Sequence, residues 1–245
     1  MKNIFNIIMI FIWIAITPAY ANESIIPKKI YDDDIAYGIN YGKEHFILVT
    51  AIKGNFISSM NEEYIAFYKI DNRENLYNTV RIYIIKKNKI IKVYRINHVS
   101  YMDYNDVADG NDFYIKQIKA LEQYFGPWNG YFYTYDLNGN GVPEIFLYDL
   151  GGIGGSWGIY EYNKEKDAFE TIIDAGQLYN YGKVIIDKQN KAIIIYAHYE
   201  PKGNYPAYVL HYREIEYKWN EKSKRYEKKV LRKGLTYEDL EKIKN

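Results

Sequence analysis

Short apolar or alternating segments, separated by polar turns, run along most of the chain. Such runs are typical of β-strands, whose side chains point alternately to the two faces of a sheet. The polar segments between them include residues 86–89, 163–167 and 220–224. The predicted strands cover residues 46–52, 64–70, 80–85, 90–96, 131–135, 145–148, 159–162, 169–173, 184–186, 192–197, 208–219 and 226–231. The pattern predicts a mainly β protein of antiparallel hairpin repeats.

Two segments have helical spacing instead. Residues 112–125 place apolar side chains on one face and stop at Gly126-Pro127, where a helix commonly ends. Residues 236–244 open with Thr236 and, three positions later, Asp239, a variant of the capping box. We expect one amphipathic helix and one short C-terminal helix.

The first 21 residues have the order of a secretory signal peptide. Lys2 precedes an apolar stretch over residues 7–16, and Ala19-Tyr20-Ala21 forms a small-x-small cleavage site. That stretch is shorter than the roughly 20 residues of a membrane span, although an uncleaved anchor is the alternative. We expect an exported protein, periplasmic or extracellular. Its mature chain would begin near Asn22, form a single β-rich domain over residues 22–245 and contain no membrane span.

Charge and cysteine content narrow the classes further. The chain has 32 Lys and Arg against 31 Asp and Glu, so nucleic acid is not a favoured partner. It contains no cysteine, which excludes disulfides, thiolate metal sites and a lipid anchor on a cysteine of this chain. Its four histidines do not have the spacing of a zinc motif.

Residues 136–144 have the residue types of a calcium loop. Oxygen side chains occupy positions one, three and five, a glycine occupies six, a backbone carbonyl is available at seven and a carboxylate stands at nine. Position twelve is Leu147 rather than glutamate, so the segment is not an EF-hand. The predicted ligands are Asp136, Asn138, Asn140, Val142 and Glu144.

The segment DLNGNGVPEIFLYD, residues 136–149, resembles the calcium loop of FG-GAP/VCBS proteins. The resemblance implies a β-propeller-like fold stabilised by a structural Ca²⁺. With two carboxylates the binding would be weak, with a dissociation constant of roughly 10⁻⁴ to 10⁻³ M. The alternative is that Asn-Gly-Asn-Gly is only a hairpin turn.

A second copy of this unit lies earlier in the chain. Glu144 follows Glu63 by 81 positions, and at the same offset the apolar residues after Glu144 align with residues 64–67. Ile57 and Met60 replace a ligand and the turning glycine, so this copy is expected to bind no metal. The two repeat units would lie near residues 46–96 and 131–173.

Gly154-Gly155-Ser156-Trp157-Gly158 matches the G-x-S-x-G pattern of serine hydrolases. A nucleophile elbow needs a strand before the serine and a helix after it, whereas glycines precede Ser156 and an alternating segment follows it. We therefore expect no enzyme. The alternative interpretation is a partner-binding loop over residues 151–158, with Ser156, Trp157 and Tyr160 as contacts. Its serine and tyrosine loosely resemble an element of bacterial lysozyme inhibitors.

The sequence thus favours an exported, non-enzymatic binding protein with a Ca²⁺-stabilised β-repeat fold. Its partner would be a protein or a cell-envelope polymer. Residues 218–233 carry eight Lys and Arg against two Glu and form a basic hairpin that could meet anionic polymers or be an ordinary solvated hairpin. The alternative function is an envelope inhibitor or immunity protein against a lysozyme-type cell-wall hydrolase, acting through the loop at 151–158.

Overall fold

The structure is a computed structural model. It describes residues 25–32, 44–70, 78–100, 119, 121–126, 130–149, 156–173, 184–199 and 211–243. The predicted signal peptide and the segment Gly151–Gly155 lie outside the described residues.

The described strands form three antiparallel sheets, and neighbouring strands in each sheet follow one another in the sequence. The first sheet contains β1 (Lys29–Asp32), β2 (Glu44–Gly54), β3 (Glu62–Ile70), β4 (Asn78–Lys86) and β5 (Lys89–Ser100). The second contains β6 (Phe132–Tyr135), β7 (Glu144–Asp149), β8 (Ser156–Asn163) and β9 (Ala168–Ile173). The third contains β10 (Val184–Asp187), β11 (Ala192–Tyr199), β12 (His211–Asn220) and β13 (Arg225–Leu235).

The prediction of a mainly antiparallel β protein is confirmed. Two short helices accompany the strands. The first, α1, is described at residues 121–125 and ends at Gly126, whose positive φ of 84° suits the residue after a helix. The second, α2 (Tyr237–Lys242), begins with the predicted capping box between Thr236 and Asp239.

The second sheet lies between the other two. One of its faces contributes Phe132, Ile145, Leu147 and Tyr160 to a core shared with the first sheet. Its other face contributes Phe146, Trp157 and Ile159, among others, to a core shared with the third sheet. Because side chains alternate along a strand, Ile145 and Phe146 of β7 face opposite cores. The three sheets therefore pack as consecutive layers.

The propeller expectation is not met. The described strands form three separate sheets, the first of which curves into a half-barrel, and no closed ring of blades is shown among them. The expectation rested on a loop of fourteen residues, and a loop fixes the turn between two strands without fixing how several sheets are arranged around it.

Candidate functional site

The loop between β2 and β3 is held by a single buried carboxylate. Glu63, which is 1 % exposed, accepts backbone N–H groups from Phe56 at 2.5 Å and Ile57 at 2.8 Å through one oxygen. Its other oxygen accepts the N–H of Ser59 at 2.6 Å. Three backbone N–H groups that find no acceptor within the turn are thus hydrogen-bonded to one side chain. Phe56 is buried beneath the loop and joins the core.

The loop between β6 and β7 is built in the same way. Glu144 is fully buried and accepts the N–H of Leu137 at 2.8 Å and the side-chain amide of Asn138 at 2.7 Å. Leu137 and Glu144 are the counterparts of Phe56 and Glu63, at the offset that the sequence alignment uses. In each loop the apolar residue is buried, and the glutamate accepts a hydrogen bond from the backbone N–H of that apolar residue.

The two loops also contact each other. The hydroxyl of Ser58 donates a hydrogen bond to the carbonyl oxygen of Gly141. Gly139 and Gly141 both have positive φ, 75° and 84°, which explains the need for glycine there. The pair of loops therefore forms one continuous turn region that joins the first two sheets.

Every side-chain oxygen predicted to bind calcium accepts a hydrogen bond within the loop. Asp136 accepts the backbone N–H groups of Gly139, Asn140 and Gly141 at 2.8 to 3.1 Å. The side-chain oxygen of Asn138 accepts from Asn140 at 2.9 Å, and that of Asn140 accepts from Val142 at 2.7 Å. These contacts order the loop by side-chain capping of its backbone.

Glu144 needs no metal to explain its position, because Glu63 occupies the same position in a loop where Ile57 and Met60 replace a ligand and the turning glycine. Over the part of the chain that the structure describes, no group of three or more His, Cys, Asp or Glu side chains could hold a metal ion. Calcium binding stays a prediction.

A second carboxylate lies beside Glu144 between the second and third sheets. Burial raises the pKa of Glu144 to about 7, against the lowering effect of its hydrogen bonds from Leu137 and from the hydroxyl of Tyr226, which is 2.8 Å away. Burial also raises the pKa of Glu161 to about 7, and the nearby charge of Glu144 adds to the effect. Asn138 joins the two carboxylates, with its amide 2.7 Å from Glu144 and 3.4 Å from Glu161.

Tyr226 completes this cluster from the third sheet. Burial, followed by the negative charge of Glu144, raises the pKa of its hydroxyl, so the group stays a hydrogen-bond donor. Tyr226 also packs edge-on against Trp219, with ring centroids 5.3 Å apart. The hydrogen bond from Tyr226 to Glu144 links β13 to β7, and Asn138 connects Glu144 to Glu161 of β8.

Sequence reasoning missed Glu161 and Tyr226 as members of this cluster. Glu161 lies in an alternating segment with the pattern of an ordinary strand, and Tyr226 follows 65 residues later in another sheet. The paired glutamates were recoverable, since both stand seven positions after an apolar residue that becomes buried.

The proposed partner-binding residues lie in strand β8. Trp157 is 1 % exposed and packs against Tyr133, with ring centroids 5.8 Å apart, in the core between the second and third sheets. Tyr160 is 3 % exposed in the core on the opposite side. Ser156 is the first residue of β8, which pairs antiparallel with β7. Trp157 therefore lies in a strand and in the core, not in the partner-binding loop that the sequence predicted. The glycines before Ser156 made a loop plausible, but a large apolar side chain gains more from burial between two sheets.

The basic hairpin is the part of the third sheet that faces water. In strand β13, every residue is exposed except Tyr226 and Leu235, which are partly buried. Glu221 of the turn pairs with Lys191 and Lys224, and Glu227 accepts hydrogen bonds from Asn220 and Ser223. The acids of the hairpin are therefore occupied locally, and its cations dominate the surface.

Comparison with known proteins gives one result that covers most of the chain. The model of a family described as Treponema clustered lipoprotein matches residues 19–228. No curated protein and no solved structure gives a match. The resemblance to FG-GAP/VCBS proteins is therefore wrong as an assignment of family, because the matching family is a different one and covers a far longer part of the chain.

Proposed function

The chain belongs to the Treponema clustered lipoprotein family, and we propose that it is an exported, non-enzymatic binding protein associated with the cell envelope. The family description supports both export and association with the envelope, although this chain has no cysteine that could carry a lipid. The signal-like order of the first 21 residues supports export independently. Over the described residues, no helix is long and apolar enough to cross a membrane.

The observation that carries the proposal is the contrast between the carboxylate cluster and the basic hairpin. Glu63, Glu144 and Asp136 are used to cap the chain's own loops, so they serve the fold. The hairpin of β12 and β13 instead presents exposed cations that the fold does not use. We propose that this hairpin binds an anionic component of the envelope, by charge complementarity.

The inhibitor alternative gains no support from the described contacts. It required Trp157 to enter the cleft of a hydrolase, and Trp157 is enclosed between two sheets. The hairpin is the surface on which binding should be tested.

The test uses two charge-reversal variants of the purified exported chain. The patch variant carries Lys228→Glu, Lys229→Glu and Lys233→Glu in β13. The turn variant carries Lys86→Glu, Lys87→Glu and Lys89→Glu at the β4–β5 turn, where the lysines are also exposed. Both change the net charge equally, so a difference between them reports position rather than total charge.

The wild type and the turn variant should sediment with isolated cell envelopes, and the patch variant should remain in solution. Equal binding by all three proteins would contradict the proposed surface. Envelopes incubated with the wild type should release no soluble glycan, peptide or lipid fragments. Release that increases with time would contradict the non-enzymatic function.

A further inference from the structure

Strand β13 is an open edge of the third sheet. It pairs with β12 and is the last strand in the sheet order. Its pairing is regular from Arg225 to Val230 and is then interrupted by two irregularities, next to Glu214 and next to Tyr212. Residues on both of its faces are exposed, so the strand overhangs the packed layers. Side chains of both faces, from Glu227 to Lys233, are therefore accessible to a partner that approaches the strand from its edge.

Most cations of the hairpin form no ion pair among the described residues. Arg232 pairs with Glu214, and Lys224 pairs with Glu221. Lys228 lies over the ring of Tyr217, with its Nζ 5.6 Å from the ring centroid, and forms no ion pair. Among the described residues, six cations of the hairpin make no ion pair, namely Lys218, Lys222, Arg225, Lys228, Lys229 and Lys233.

Apolar side chains are exposed within this same basic region. Val230 and Leu231 lie next to Lys229 in β13 and are 38 % and 39 % exposed. Tyr237, at the start of α2, is 48 % exposed. A soluble polyanion offers no apolar region in which these side chains could be buried. A lipid interface accommodates cations beside its phosphates and aliphatic and tyrosine side chains at the level of its headgroups.

We propose that β13 and the start of α2 bind the surface of a membrane that contains anionic lipids. The partner is the lipid headgroup layer, contacted by the six unpaired cations and by Val230, Leu231 and Tyr237. This inference rests on the proposed function and names the envelope component that the hairpin binds. Because the chain has no cysteine that could carry a lipid, this contact would supply an electrostatic attachment to the envelope that needs no lipid chain.

Lysines on an open edge strand also protect it from pairing with the edges of other chains. The patch variant separates this role from lipid binding. Glutamates protect an edge by charge as lysines do, so the variant should keep the fold and the oligomeric state of the wild type. The substitutions replace attraction to an anionic surface by repulsion and leave the protection of the edge unchanged.

The experiment is sedimentation with sucrose-loaded vesicles, either of phosphatidylcholine alone or of phosphatidylcholine with about one third phosphatidylglycerol. The wild type and the turn variant should bind only the anionic vesicles. The patch variant should bind them at least about a hundredfold more weakly, since each cation near such a surface contributes roughly a fivefold factor. Leu231→Ser should weaken binding severalfold without changing the charge. Circular dichroism and gel filtration check that each variant keeps the fold and the oligomeric state of the wild type.

Three results would overturn the inference. They are binding to neutral and anionic vesicles alike, equal binding by the patch and turn variants, and binding of polyglutamate with no binding of anionic vesicles. If the protein bound polyglutamate but not anionic vesicles, and still sedimented with whole envelopes, the proposed function would hold. The partner would then be a polyanion of the soluble kind rather than a lipid surface. If envelope binding also failed, the proposed function itself would fall.

Discussion

Replacing Glu63 by alanine should destabilise the protein through the backbone of the loop that this side chain caps. The substitution leaves three N–H groups without their acceptor, those of Phe56, Ile57 and Ser59. Only the first is in a buried hydrogen bond, and a buried donor that loses its partner costs about 1 to 3 kcal/mol. The other two are partly buried and can bond to water, which limits their cost to about 0.5 to 1 kcal/mol each. The free energy of unfolding should therefore fall by about 3 kcal/mol.

Urea unfolding, followed by tryptophan fluorescence and circular dichroism, measures this change from the midpoint and slope of the transition. Glu62→Ala is the matched control. Glu62 precedes Glu63 in the same strand, is about half exposed and forms a surface ion pair with Lys53 at 3.2 Å. Losing such a pair should cost less than about 1 kcal/mol. Glu63→Gln should fall between the two, because its amide keeps one acceptor oxygen. Equal effects of Glu62→Ala and Glu63→Ala would refute the capping argument.

Three further predictions concern pH, calcium and the core. Because the folded-state pKa of Glu144 and of Glu161 is raised from 4.5 to about 7, their contribution to stability is fully present below pH 4.5 and is lost as the pH rises through 7. The urea midpoint of the wild type should therefore decrease as the pH is raised from about 5 to about 8, and that of Glu144→Gln should decrease less. A wild-type midpoint that does not decrease over this range would contradict the raised pKa values of Glu144 and Glu161. Calcium at about 1 to 10 mM should raise the melting temperature of chelated protein, and Asp136→Ala should remove the rise; an unchanged wild-type melting curve would exclude a stabilising calcium site. Trp157→Ala should lower the free energy of unfolding by about 3 to 5 kcal/mol, and a loss below about 1 kcal/mol would contradict burial of this side chain between two sheets.

The strands of this protein could be predicted because alternation is a local signal. Where Ile145, Phe146 and Leu147 follow one another without alternating, burial of both faces of the second sheet explains the pattern. Strand β1 was not predicted, because its sequence is short and leads directly into the acidic residues Asp32-Asp33-Asp34. Its pairing with β2 stabilises the strand instead. Its existence depends on a neighbour rather than on its own pattern.

The site was harder to predict, because its contacts join separate sheets. Trp157 follows a run of glycines, but it alternates with Ile159, and this spacing of two would have extended the predicted strand back to the tryptophan. The contact of Tyr226 with Glu144 spans 82 positions and depends on the packing of the third sheet on the second, which no local pattern encodes. The motif predicted glycines where the structure has positive φ, at Gly139 and Gly141, but it could not show that Glu144 turns inward to cap the backbone.

We propose that the exposed cations of β13 hold this exported protein at the cell envelope. The salt dependence of binding to isolated envelopes tests it most directly, because screening weakens contacts between exposed charges and leaves buried apolar contacts largely unchanged. We predict that the wild type binds at about 0.05 M salt and is released by about 0.5 M, and that the patch variant binds at neither concentration. Binding that is unchanged across this range, or that the patch variant retains, would contradict the account.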